Sequence, residues 1–158
     1  MTEIQRILDQ MRRAHEGDAW HGPSLREALD GVTAAEAAAR PVPGAHSIRE
    51  IVQHLAAWED TLLRRLAGEP LREPAEGDWP RAAAESEDEW QALLRRLDER
   101  ARRLRDAVAT LDDAGLDEPP YPGTATRYAT LHGAVQHTVY HAGQIALLRR
   151  AVRAGRAA

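Results

Sequence analysis

The sequence predicts an all-α protein: a four-helix bundle with long loops and short extra helices. Three observations point there. The composition leans on alanine and leucine and holds no phenylalanine, a mix that favours helices over β-branched strand runs. Apolar residues recur at spacings of three and four along four long segments, the period of a helix with one buried face. Ser or Thr followed three residues later by Glu opens three of the predicted helices, which is the capping-box signature of a helix start. At 158 residues the chain has the length of one domain, so residues 1–158 are read as a single helical bundle.

The first helix is expected from Thr2 to Glu16, with Ile4, Ile7, Leu8 and Met11 on one face and Gly17 as a stop. Two short helices fit the broken stretch that follows, one after Pro23 and one opened by the Thr33–Glu36 pair. Ser47 and Glu50 announce the second long helix. Its apolar stripe is Ile48, Ile51, Val52, Leu55, Leu62 and Leu66, and Gly68 ends it. The segment GEPLREPAEGDWP carries prolines and glycines that forbid a continuous helix, so it reads as a long connection. Ser86 and Glu89 open the third helix, in which Trp90, Leu93, Leu97, Ala101, Leu104, Val108 and Leu111 form the seam of a shallow-angle packing. DDAGLDEPPYPG closes it as a second long loop. The last helix is expected from about Arg127 to Arg153. Connections of this length call for at least one long crossover.

Charge and composition exclude several function classes. The chain carries 21 basic and 25 acidic residues, a net charge of -4, with no basic block to meet nucleic acid. It has no cysteine, which removes disulfides, thiolate metal ligands and a cysteine nucleophile. The start, MTEIQRILDQMRR, lacks the apolar run of a signal peptide, and no later stretch would span a bilayer. The expectation is a cytoplasmic protein with no membrane partner.

The chemistry sits in the histidines. His137 and His141 project together onto one flank of the last helix's stripe of Leu131, Val135, Ala142 and Ile145, with Gln144 beside them. His54 projects onto a flank of the second helix, next to Ile51 and Trp58. Two imidazoles at i and i+4 can converge on one ion. A third from a neighbouring helix would complete the set and leave open positions. Such neutral nitrogens suit zinc, nickel, iron or copper rather than calcium or magnesium. Flank histidines equally suit hydrogen bonds to neighbours or solvent, so the spacing by itself leaves both readings open. Thr138 stands where a zincin protease needs its glutamate, which argues against that class.

Glu59 projects near the middle of the second helix's stripe, where an isolated charge is costly. It could orient a ligating histidine through the ring N–H or act as a base. The other reading, the usual one for a buried carboxylate, is an arginine partner on a neighbouring helix. Gln144 could hydrogen-bond a metal-bound water or cap a loop. Tyr140 and His132 project away from the pair and read as surface or packing. His15, His21 and His46 read as solvent or cap residues, Trp58 and Trp90 as core, and Trp79 as a plug of the long loop onto the bundle.

The segments HSIREIVQHLAAWE and LHGAVQHTVYHAGQI together resemble the DinB/YfiT-like family of bacterial helical bundles. The matching features are the histidine of the second long helix, the H-x-x-x-H pair of the last, and the Gly-Gln-Ile after it. The lead-in from Ala19 and the tail after Tyr140 also look like the family, so the likeness covers nearly the whole chain. The resemblance implies an up-down-down-up bundle and a divalent metal held by His54, His137 and His141, with nickel or zinc first and iron or manganese as further candidates. It implies a homodimer. It also implies an activity seen in some relatives, in which a metal-bound low-molecular-weight thiol is added to a small-molecule electrophile. The expected function is therefore a metal-dependent transferase of that kind, or a hydrolase. A non-catalytic metal-binding protein of a stress response is the alternative, and a plain structural dimer with remnant histidines is the third reading.

Overall fold

The computed structural model describes residues 1–80 and 86–156. Among these residues every regular element is a helix, with no strand. Its elements are α1 (Glu3–His15), α2 (Leu25–Leu29), α3 (Ala34–Ala38), α4 (Ile48–Leu66), α5 (Glu87–Val108), a 3-10 turn at Asp113–Gly115, and α6 (Arg127–Arg156). No described helix is long and apolar enough to cross a membrane.

The expected caps form. Thr33, Ser47 and Ser86 accept from the backbone N–H three residues on, while Glu36, Glu50 and Glu89 reach back to the cap N–H. Thr2 with Gln5 and Ser24 with Glu27 do the same for α1 and α2. Each reciprocal pair satisfies two N–H groups that the first turn leaves unbonded, worth about 1 kcal/mol per cap. At the other end of α4, Gly68 sits at φ 92° and donates to the Arg65 carbonyl, while Glu69 donates to that of Arg64. That left-handed stop turns the chain sharply back along the helix it has just left.

α5 ends at Val108, short of Leu111. Thr110 and Leu111 donate to the carbonyls of Ala107 and Val108 instead, and the Thr110 hydroxyl also bonds Ala107. These tighter bonds close the helix before the stripe runs out. α6 reaches Arg156 rather than Arg153.

α4 packs chiefly on α5, and α6 packs on α1, α2 and α4. The core has two parts. One gathers α2 to α6 around Trp90, whose indole N–H donates to the Val32 carbonyl at 2.7 Å. The other joins α1, the end of α5 and the start of α6 through Ile7, Leu104, Val108 and Leu131. The seam of α4 and α6 is where the two helices bring their histidines face to face.

Candidate metal centre

His54 on α4 and His137 and His141 on α6 meet in one cluster, their ligating nitrogens all within 4.8 Å of one another. His54 Nε2 lies 2.8 Å from His137 Nε2, and His141 Nε2 lies 3.1 Å from the same atom. The other nitrogens of two rings are anchored. His54 Nδ1 donates to the Asp78 carbonyl at 2.6 Å, and His141 Nδ1 donates to the Gln144 amide oxygen at 2.7 Å. Those oxygens can only accept, so both Nδ1 atoms carry the proton and both Nε2 atoms present lone pairs.

Two lone pairs thus face one nitrogen, and His137 Nε2 has at most one proton to offer. One contact is left as lone pair against lone pair. A cation between the three nitrogens would satisfy all of them at once, so the donor set fits a divalent metal. Bonds of about 2.1 Å at right angles put neighbouring donors about 3 Å apart, close to the observed separations.

Burial lowers the pKa of all three rings. For His137 desolvation comes first, followed by repulsion from His141 and His54, and it falls to about 4. His141 also falls to about 4, through burial against the opposing bond to Gln144. His54 is lowered mainly by burial. The cluster is therefore neutral near pH 7, the ligating form of imidazole.

The connection from α4 to α5 supplies the remaining wall. Trp79 stacks on His54 with centroids 4.1 Å apart and on His46 with centroids 3.5 Å apart, lying between two imidazoles. Asp78 gives its carbonyl to His54 and accepts the Trp58 indole N–H at 2.8 Å. Two cavities flank the cluster. One, of about 480 Å³, is walled by His54 and His137 together with Trp58, Arg65 and Gly133. The other, of about 390 Å³, reaches His141 and is lined by Trp79, Tyr140 and Gln144.

Several expectations change. Glu59 does not orient His54, whose two ring nitrogens are taken up by Asp78 and His137. It lies instead beside His15, Arg105 and Thr138, away from the cluster. Among the described residues no arginine hydrogen-bonds it either, and its buried Oε2 has no partner. Gln144 takes up the orienting role, toward His141. His15 is buried rather than solvated, its Nε2 2.8 Å from Asp98, because the end of α1 abuts α5. Trp58 is half-buried and walls a cavity instead of filling the core. His46 stacks on Trp79, Tyr140 stays exposed, and Trp79 does plug its loop onto the bundle. Asp78 was not foreseen: its contribution is a loop carbonyl, and no periodicity marks one.

The sequence model of the DinB superfamily matches residues 19–145. Curated proteins give no match. The crystal structure of a conserved protein from Enterococcus faecalis is similar in fold, with a TM-score of 0.71 and 20% identity over 98% of this chain and 99% of that one. The family match includes both histidine-bearing segments and most of the domain around them, and the chain therefore belongs to the DinB superfamily.

Proposed function

We propose that His54, His137 and His141 hold one divalent ion, nickel or zinc before iron or manganese, and that the protein transfers a low-molecular-weight thiol to a small electrophile. The observation that carries the metal is the convergence of three Nε2 atoms on one point with two of the rings fixed in the ligating tautomer. A bound ion of this kind supplies Lewis acidity, lowering the pKa of a thiol or water that reaches it.

The presence of a cavity on each side of the cluster favours a two-substrate transfer over hydrolysis, which needs one substrate and water. With no cysteine in the chain, the thiol has to come from solution. The reaction would form a sulfur–carbon bond as the electrophile's carbon–leaving-group bond breaks, with the thiol proton passing to solvent or to the leaving atom. The chain's residues prepare this. The Asp78 carbonyl and Gln144 hold two imidazoles in register, and Trp79 covers one face of His54 and keeps water from it.

The test begins with the metal content of untagged protein beside His137→Ala. About one equivalent in the wild type and its loss in the variant are expected for a single site. Metal-loaded protein is then expected to conjugate a low-molecular-weight thiol to members of a panel of epoxides and haloaromatics. Metal without conjugation would leave a metal-binding protein and remove the transferase. Absence of metal after incubation with both nickel and zinc would remove both.

A further inference from the structure

The larger cavity is a trough with chemically different ends. Along α4 its wall is His54, Trp58, Leu62 and Arg65, spaced four, four and three residues apart, so one stripe of the helix faces it. Along α6 it is Thr130, Gly133, Ala134 and His137, again one face. His54 and His137 mark one end and Arg65 the other.

Arg65 is a prepared cation. Its Nε donates to the Leu71 carbonyl at 2.7 Å and its Nη2 to that of Arg72, both in the chain turned back by Gly68. The guanidinium carbon lies 5.2 Å from the centroid of the Trp58 ring. Among the described residues no carboxylate pairs with it, although most buried or half-buried arginines of this chain have one, such as Arg105 with Glu16 and Arg100 with Glu76. The acid that lines the trough, Asp78, is engaged at the opposite end, accepting from Trp58 and lying 3.4 Å from His54 Nδ1.

Between the two ends the surface is mainly apolar. Trp58, Leu62, Ala125 and Ala134 form it, with the hydroxyl-bearing Thr124 and Thr130 beside them, and a Cβ added at Gly133 would meet nothing within 4 Å. The ring of Trp58 lies 6.3 Å from that of His54 and 5.2 Å from the guanidinium carbon, a span suited to an apolar body of a few carbons or one ring. At about 480 Å³ the trough has the capacity of a small-molecule site.

We infer that this trough binds a small organic carboxylate, its anionic end on Arg65, its apolar body along Trp58 and over Gly133, and its reactive end at the three histidines. The reading deepens the function proposed above by naming the class of one substrate. Its anion site rests on Arg65 and stands apart from the metal.

Calorimetry with 3-phenylpropanoate and its neutral counterpart 3-phenylpropanamide tests it, in zinc-loaded and in chelator-treated protein. The carboxylate is expected to bind about tenfold more tightly than the amide in both forms, the gain of a charge-assisted pair at a partly exposed site. Arg65→Gln should bring the carboxylate to the level of the amide while leaving amide affinity and zinc content unchanged. Gly133→Leu, a substitution that raises helix propensity, should weaken both ligands with zinc content kept. Equal affinity for acid and amide, or a carboxylate affinity indifferent to Arg65→Gln, would overturn the proposal. So would loss of the carboxylate's advantage when zinc is removed, which would put the anion on the metal. A wild type that takes up no zinc would sink the metal reading alone, and the chelator-treated comparison would still decide the anion site.

Discussion

Glu59 lines a small cavity with His15, and Asp98 meets the Nε2 of the same histidine, yet the two carboxyls shift in opposite directions. Burial pushes Glu59 above the usual carboxylate range, with the charges of His15 and Arg105 pulling only partly back. A carboxyl raised in this way stabilises the fold below its unfolded value and loses that stability as pH climbs through the raised one. Glu59→Gln is therefore expected to be near neutral at pH 4 and more stable than the wild type by about 1–2 kcal/mol at pH 8 in urea unfolding. Equal destabilisation at both pH values would mean an ionised, paired Glu59. For Asp98 burial also raises the pKa, but the bonds from His15 and Arg26 outweigh it and bring it to about 2. Here stability is present above the unfolded value and lost as pH falls toward 2. Asp98→Asn should cost about 1 kcal/mol at pH 7, discounted for its partial exposure, with the gap closing as the pH falls from 4 to 2. The three site histidines were legible as residues because i, i+4 spacing and a stripe position survive projection onto a helix. Glu59 misled because a place in the apolar stripe says that a side chain is buried and not against which neighbour: five residues past His54, about 140° around the helix, it points at α1 and α5, not at the cluster.

The helices were legible from their ends. Three Ser/Thr–Glu caps and a glycine stop place α3, α4 and α5, and Ser24 with Glu27 carries the same pattern at the start of α2, directly after Pro23. The connection from Gly68 to Pro80 was legible only as an interruption. Its contribution is made by a carbonyl, a stacked indole and the acceptors for Arg65, and none of these depends on a repeating side-chain pattern. Trp79→Ala tests this segment. Loss of the stack should loosen the Asp78 carbonyl from His54 Nδ1 and lower metal affinity about 10- to 100-fold, with helical content by circular dichroism unchanged. Wild-type affinity in that variant would show that the bundle alone aligns His54.

At the scale of the molecule, the cluster joins two helices that belong to different chain segments, α4 and α6. An ion bound there would favour the folded form by mass action, about 2.7 kcal/mol at a hundredfold excess over Kd. Zinc is expected to raise the Tm of the wild type and not that of His137→Ala, as read by thermal melting at pH 7. Unchanged Tm in the wild type would count against tight binding to the folded state. The tryptophans add an optical consequence. Trp20 is fully exposed, Trp90 is fully buried, and Trp58 and Trp79 border the histidines. The four indoles therefore divide into a solvent-facing emitter, a core emitter and two that sense the site. Sandwiched between the rings of His46 and His54, Trp79 makes the protein its own dye: a paramagnetic ion such as nickel should dim the emission of the two bordering indoles and leave the colour of the core one as it was.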